Sequence, residues 1–276
     1  MTSPTSFRPV RIQPRNTWRL DLRELWEYRE LLWILALRDI KVRYKQTVLG
    51  VLWVILQPLT AMTIFSLVFG HLAKLPSDGL PYPIFVFTAL LPWTFFANAV
   101  TSAGNSVVGS ANLISKVYFP RLIIPLASIG GILLDFAISA MILLIMMLFY
   151  GLGWSLNLLA APVLVLALGF IALGVGTLLS ALNVAYRDFR YVIPFLVQVW
   201  MFATPVVYPA SLLPEDWRWL LYLNPMAGVV EGFRSAFLGR AFDALGLGIS
   251  FIIGTMAFLA GVWHFNRVER RFADII

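Results

Sequence analysis

Asp135-Phe-Ala-Ile-Ser-Ala-Met-Ile-Leu-Leu-Ile-Met-Met-Leu-Phe-Tyr150-Gly-Leu-Gly-Trp-Ser-Leu-Asn157 decides the fold of this chain. It begins fifty-one consecutive residues, 136 to 186, that include no Asp, Glu, Lys, Arg or His. The only turn-like break in that run is Tyr150 to Asn157. Two bilayer crossings of about 20 residues each, joined by a tight turn, use such a stretch fully, whereas a soluble core helix has no use for it. The chain is therefore read as a membrane protein.

Working outward, the uncharged windows give six spans, near 48–72, 83–109, 122–149, 158–184, 191–208 and 245–265. The expected architecture is all-α and polytopic. A cytoplasmic N-terminal segment, 1–47, precedes a six-helix transmembrane domain, 48–276, that ends in a short cytoplasmic tail. The window from Gly79 to Ser115 holds thirty-seven uncharged residues, too many for one straight crossing. Its second half, Thr101 to Asn112, is small and polar and is expected to face protein or water. No internal repeat is visible, which counts against the inverted-repeat folds of secondary transporters.

Hydrophobic residues make up 60% of the chain and charged ones 13%, against roughly 25% charged in soluble domains. There is no cysteine, so disulfides and thiolate metal sites are excluded. His71 and His264 lie far apart, and no metal site is expected. Arg8, Arg11, Arg15 and Arg19 stand among prolines with no short apolar run behind them, unlike a cleavable signal. The net charge of +7 reflects topology rather than nucleic-acid binding. With the N-terminus inside, seventeen Lys and Arg fall in cytoplasmic segments and four (Lys74, Arg218, Arg234 and Arg240) outside. That asymmetry predicts both termini cytoplasmic.

Residues 21–34 form an amphipathic segment. At 100° per residue, Leu22, Leu25, Trp26, Tyr28, Leu32 and Trp33 share an arc about 160° wide, opposite Arg23, Glu24, Glu27 and Glu30. This predicts a helix in the membrane interface, whose acidic outer face, Glu24 and Glu27 included, suits a cytoplasmic partner. Arg38, Lys41, Arg43 and Lys45 follow just before the first span. They enforce topology and contact anionic lipid headgroups, or they attract an anionic substrate group such as a lipid pyrophosphate to a channel entrance.

The chain has no G-x-x-x-x-G-K-[ST] run and no other nucleotide fingerprint. If ATP drives it, nucleotide and magnesium belong to a separate subunit, and this chain carries no cofactor. Two short cytoplasmic loops are candidates for contact with that subunit. One is Leu113-Ile-Ser-Lys-Val-Tyr-Phe-Pro-Arg121, with Leu113, Ile114, Lys116, Val117, Tyr118, Phe119 and Arg121; the other is Asn183 to Arg190, with Arg187 and Asp188. Apolar and aromatic side chains in a loop suggest a socket on a partner, or else they tuck into the headgroup region.

Leu91-Pro-Trp-Thr-Phe-Phe96, the run from Leu113 to Pro125 with Lys-Val-Tyr-Phe-Pro-Arg inside it, Tyr186-Arg-Asp188 and Asn224-Pro-Met226 occur in order. Together they make the chain resemble the membrane subunit of a polysaccharide-exporting ABC transporter, of the type that exports O-antigen or teichoic-acid chains. The resemblance runs from about Arg29 to the last span. It implies a permease subunit that is not itself an enzyme, in a bacterial inner membrane. It further implies a homodimer carrying two P-loop ATPase subunits, lipid-linked polysaccharide as cargo, and the interfacial helix and loop 113–121 as ATPase docking elements.

Sugar rings stack their C–H faces on aromatic side chains, so a glycan channel suits an aromatic lining. Trp93, Phe95 and Phe96 on the second span, and Phe195, Trp200, Phe202 and Tyr208 on the fifth, are the candidates. Lipid-facing or interfacial packing is the alternative for each. Phe195 and Phe202, seven apart, can share a face. Asp135 is the one clearly intramembrane acid. It lies about 21 Å along a helix from Arg121 and would cost about 2.5–3.5 kcal/mol if ionised there, so it is expected to be paired, hydrated or protonated. No second titratable partner is evident in the spans, which disfavours a proton relay and a secondary transporter. The external acids Glu215, Asp216, Glu231 and Asp243 form no constellation that a membrane transferase would need. In the external segment, Asn224 and Pro225 read as N-cap and first helical residue, with Glu231 and Arg234 three apart beyond them. Two short helices, dipping back toward the membrane, are expected there.

Overall fold

A computed structural model describes residues 22–45, 50–269 and 272. The N-terminal residues to 21, the boundary expected at 47/48, and Arg270 and Arg271 of the tail lie outside the described residues. Helix α1 (Leu22–Glu27) is followed after Tyr28 by α2 (Arg29–Lys45). Next, α3 (Gly50–Phe65) continues as a π-helix over Ser66–Leu72, and α4 spans Tyr82–Gly109. Short helices α5 (Ala111–Ile114) and α6 (Ile123–Ala127) precede α7 (Gly130–Phe149). A 3-10 turn leads to α8 (Ala161–Ala185), then α9 (Phe189–Ala203), α10 (Arg218–Tyr222), α11 (Pro225–Leu238) and α12 (Ala244–Val268). The described residues contain no strand.

Among the described residues, five helices are long and apolar enough to cross a membrane: Leu52–Leu72, Tyr82–Gly109, Ile123–Phe149, Leu156–Ala185 and Ala244–Val268. They match five of the six expected spans within a few residues. The fifth expectation, 191–208, is corrected: α9 stops at Ala203. Its fifteen residues extend about 22 Å, short of a hydrocarbon core of about 30 Å. Pro205 is the reason, because a residue preceding proline is driven out of the helical region. Thr204 is accordingly extended at φ −103°, ψ 142°.

Helix α4 is the axis of the bundle. From Ile84 to Trp93 every residue on it is buried, the signature of a helix apolar on all sides. It packs against α3, α7, α8, α9 and α11. Helices α8 and α12 cross at almost backbone contact: a Cβ on Gly261 would lie 2.2 Å from the Gly174 carbonyl oxygen. Glycine at that crossing lets two membrane helices gain packing that no larger residue permits. Outward faces stay apolar, with Met141 and Ile145 on α7, Leu166 on α8 and Met256 on α12 exposed, as suits hydrocarbon surroundings.

The amphipathic expectation for 21–34 is also revised. The helix does not end at Ile34 but runs to Lys45, carrying the whole cation cluster. The apolar arc divides: Leu25, Tyr28 and Leu32 pack on a second core built around Ile114, Phe119, Ile123 and Phe265. Leu22, Trp26 and Trp33 remain exposed. This second core, at the α2 end of the molecule, frames the site described next.

Candidate functional site: a polar cleft beside α2

The second half of α4 turns one face of amides and hydroxyls outward, and α2 and α6 wall it in. The resulting cleft has a volume of about 470 Å³ and is lined by Arg38, Asp39 and Arg43 of α2, by Asn98, Ser102 and Asn105 of α4, and by Ser128 after α6, among others. Asn105 is held in place from both sides. Its amide donates to the Thr101 carbonyl at 2.9 Å, and its oxygen accepts from the buried Asn183 of α8 at 3.1 Å. The small polar stretch from Thr101 thus faces protein and a polar cleft, as its composition suggests.

The cations of the cluster do not act alike. Lys41 and Lys45 are exposed. Arg38 is engaged by its neighbour, with Nε and Nη2 at 2.9 and 2.8 Å from Asp39 Oδ1. Arg43 Nη2 lies 2.9 Å from Asp135 Oδ2, and the Tyr44 hydroxyl donates to the other carboxylate oxygen. Asp135 is therefore paired, one of the states expected of it, and its partners come from α2 rather than from another candidate span. Burial, together with the neighbouring carboxylate, pushes the Tyr44 phenol well above its ordinary value, so the hydroxyl remains a donor.

The contact depends on how closely α2 lies on the start of α7. A Cβ on Gly130 would stand 2.9 Å from the Ala36 Cβ. Over the adjacent Gly131, Ile40 and Arg43 fill the space. The glycine pair thus lets α2 seat low enough for two successive side chains near its C-terminus to reach Asp135 on the second turn of α7. Beyond the ion pair, Asp135 lines a cavity of about 20 Å³ between α3, α4 and α7, together with Thr94, Asn98 and Ser139.

The loop 113–121 separates into an outer and an inner part. Tyr118 is 76% exposed, and Val117 and Lys116 are exposed as well. Phe119, at 4%, is a core residue, so it cannot serve as an anchor for a partner's socket. Pro120 turns the chain inward and Phe119 goes with it into the second core. Ile114 is buried there too, and Leu113 packs against it. Arg121 is half-buried and clips the loop to the end of α12: its backbone N–H donates to Glu269 Oε1 at 3.1 Å, and its guanidinium donates to the Glu269 carbonyl. In the second loop Arg187 and Asp188 are exposed. On α1, Glu27 is exposed in an ion pair with Arg23 at 3.4 Å, and Glu24 is half-buried.

The proposed channel aromatics also divide. Trp93, Phe95 and Phe96 are buried inside the protomer, because α4 is its central helix. As placed here they line no surface. Trp200 is half-buried, edge-on to Phe96 at 5.1 Å, and its Nε1 donates to Asn224 Oδ1 at 2.8 Å. The same Asn224 oxygen accepts from the Met226 N–H at 3.0 Å, the expected N-cap. Tyr208 is half-buried and donates to the Phe202 carbonyl at 3.3 Å. Phe195 and Phe202 are exposed and share a face of α9 with Tyr191 and Val199. No group of three or more His, Cys, Asp or Glu that could hold a metal occurs among the described residues.

Several residues of the site were not singled out by sequence reading: Tyr44, Asp39, Asn98, Ser128 and the Gly130-Gly131 seat. The signal available was a lone membrane acid that needed a cation and a cation-rich segment that needed acids.

Similarity to known proteins agrees with this architecture. Residues 30–238 match the ABC-2 type transporter family. Over 248 residues the chain is 29% identical to the O-antigen export system permease protein RfbA of Klebsiella pneumoniae, covering 90% of this chain and 95% of that protein. It is 32% identical to the O-antigen export system permease protein RfbA of Myxococcus xanthus over 219 residues, 78% of this chain and 83% of the relative. It is 26% identical to the polysialic acid transport protein KpsM of Escherichia coli over 208 residues, 73% and 79% of the two chains. The chain belongs to the ABC-2 type transporter family, as a membrane-embedded permease subunit rather than an enzyme.

Proposed function

We propose that this chain is the membrane half of an ATP-driven exporter that moves a lipid-linked polysaccharide, of O-antigen or teichoic-acid type, outward across the bacterial inner membrane. The observation that carries this reading is the polar cleft beside α2. A cavity of about 470 Å³ with two arginines and a wall of amides and hydroxyls suits a phosphate-bearing headgroup and the sugar attached to it. Guanidinium groups are matched to phosphate; amides and hydroxyls are matched to sugar hydroxyls. Lys41 and Lys45 extend the positive field outside the cleft.

In this reading both termini and the cleft are cytoplasmic, and α10 and α11 lie at the external boundary as re-entrant helices. The exposed apolar residues of α1 and the start of α2, Leu22, Trp26 and Trp33, rest in the interface. Two copies assemble, with the exposed face of α9 and the peripheral α3 toward the shared channel. Phe195 and Phe202 then meet the glycan. Two ATPase subunits dock on Tyr118, Val117 and Lys116 and on Arg187 and Asp188, with Glu24 and Glu27 at the rim. Nucleotide and magnesium stay on those subunits. A secondary transporter has less support: Asp135 has an arginine as partner, and the small cavity it lines contains no second acid.

The test is reconstitution in lipid with the cognate ATPase. Hydrolysis is expected only when both subunits are present, and export only with ATP. Phe195→Ala with Phe202→Ala should impair export per assembled complex while leaving assembly intact. Robust hydrolysis by the permease alone, or export that follows a proton gradient without the ATPase, would refute the reading.

A further inference from the structure

Arg43 lines one cavity and is paired with an acid that lines another. One side of its guanidinium lines the large cleft, and Nη2 reaches Asp135, which lines the small cavity deeper between α3, α4 and α7. The pair is unequally covered, the arginine side chain being 42% exposed and the carboxylate 13%. The other cleft arginine, Arg38, is likewise matched by a carboxylate of the chain itself. We propose that Asp135 is a built-in counter-anion for Arg43, and that a lipid-borne phosphate or diphosphate entering the cleft takes Arg43 from it and so releases α2 from α7. This rests on the reading of the cleft as a headgroup site and adds the event that makes its occupancy felt elsewhere.

Three features make the exchange feasible. The first is relative strength: Asp135 gives Arg43 one close oxygen, whereas a diphosphate offers several oxygens and more charge, and a guanidinium can hold two of them in parallel. The second is where Asp135 is left. Tyr44 still donates to it, and the adjoining cavity of about 20 Å³ has room for about one water among Thr94, Asn98 and Ser139. The carboxylate is therefore not stranded in apolar surroundings, the condition that makes breaking a buried pair costly. The third is mechanical. Near Asp135, α2 is held by the shallow seat over Gly130 and Gly131, by the ion pair and by the Tyr44 hydroxyl. Its other face carries exposed Lys41, Val42 and Lys45. Removing the ion pair thus takes away a charged tie between this end of α2 and the bundle, and the N-terminal half of the same helix packs on the core that also buries Phe119 of the loop next to Tyr118.

The experiment uses the full-length permease in nanodiscs with farnesyl diphosphate as probe. Asp135→Asn, which keeps shape and can still accept from Tyr44, should tighten probe binding about tenfold, since the internal competitor is gone. Arg43→Gln should abolish binding, alone or combined with Asp135→Asn. Because the chain has no cysteine, Val42→Cys and Leu133→Cys can carry spin labels on an otherwise unlabelled protein. With residue 135 unchanged, the distance between labels should lengthen when probe is added, a readout that survives even if Asp135→Asn folds poorly. Binding lost in Arg43→Gln but weakened or unchanged in Asp135→Asn overturns the exchange while keeping the headgroup site. Binding that survives Arg43→Gln overturns the headgroup site itself. Inorganic pyrophosphate and phosphatidylglycerol vesicles run in parallel. The proposal requires farnesyl diphosphate to act at concentrations where neither of the others does; equal action by pyrophosphate overturns the lipid-borne source, and equal action by phosphatidylglycerol overturns release by cargo.

Discussion

Two arginine–carboxylate pairs stand at different heights along α4, and they are built differently. Arg43 and Asp135 meet beside its second half, with the arginine open to a cleft and a single carboxylate as its close ionic partner. Arg234 and Glu231 meet near its first turn. There the guanidinium is 3.8 Å above the Phe85 ring, 2.7 Å from Glu231 and 2.9 Å from the Val206 carbonyl. The Arg234 side chain is 1% exposed. The Arg234 site ties α11 to the turn after α9 and to α4, and its guanidinium is sealed from solvent. The Arg43 site ties α2 to α7 and opens on a cleft. The same pair of functional groups thus serves as a fixed bolt where every face is covered and as a replaceable clasp where one face is wet.

The largest expected effect breaks the bolt. Arg234→Met removes the cation paired with Glu231 and leaves the Val206 and Tyr208 carbonyls without that donor. Losing one partner of a buried pair costs about 3–5 kcal/mol, so the thermal midpoint of the purified protein should fall by several degrees at least. Arg234→Lys should rescue little, because one ammonium cannot reach ring, carboxylate and carbonyls together. By contrast Arg43→Gln should change stability by about 1 kcal/mol or less, because the arginine is exposed to water and Tyr44 still donates to Asp135. Equal midpoint losses in the two variants would erase the distinction.

Much of the fold could be read from charge alone. Windows free of charge give the spans containing α4, α7, α8 and α12 within a few residues, because the bilayer penalises charge over a fixed length. The stop of α9 at Ala203 was also written in the sequence, as Pro205, but apolar Val206 and Val207 beyond it outweighed the proline in a hydropathy reading. The Arg43–Asp135 contact was out of reach. Its members are ninety-two positions apart, and only the seat of α2 on Gly130 and Gly131 makes them neighbours. Burial within a loop or a central helix carries no periodic signal either. Val117-Tyr118-Phe119 passes from solvent into the core within one residue, with no pattern to announce it. Trp93, Phe95 and Phe96 looked like channel lining until α4 proved to be the axis.

The next prediction concerns the α2 end, where an inner residue and an outer one adjoin. Phe119→Ala should destabilise the protein by about 3–5 kcal/mol, the usual cost of emptying a buried aromatic site. Its loss of transport would then reflect folding. Tyr118→Ala should leave the thermal midpoint nearly unchanged and instead weaken co-purification with the ATPase, by about 2 kcal/mol if it is a binding anchor. A stable Phe119→Ala, or a Tyr118→Ala that assembles and exports normally, would mean that the boundary between core and docking surface lies elsewhere in this loop.

The smallest effect asks whether the firmness of the Arg234 end comes from burial or merely from location. Asp78 and Arg240 form a pair at that same end, with Arg240 Nη1 2.7 Å from Asp78 Oδ2 and Ser211 donating to Oδ1 at 2.7 Å. Both side chains are partly exposed. Burial by itself would raise the Asp78 carboxyl, but the hydrogen bonds from Ser211 and Arg240 and the arginine's charge hold it below its ordinary value of 3.8. A carboxyl depressed in the folded state adds stability that is complete above its unfolded value and is lost as pH falls through the folded one. The contribution should therefore be constant from neutral pH down to about 4 and disappear below that. Screening by water limits it to about 0.2–1 kcal/mol. Comparing thermal midpoints at pH 7 and pH 3, Asp78→Asn should remove a small part of the acid sensitivity and leave the rest. If instead Asp78→Asn costs as much at pH 7 as Arg234→Met, location rather than burial is what makes this end rigid, and the contrast with the cleft must be redrawn.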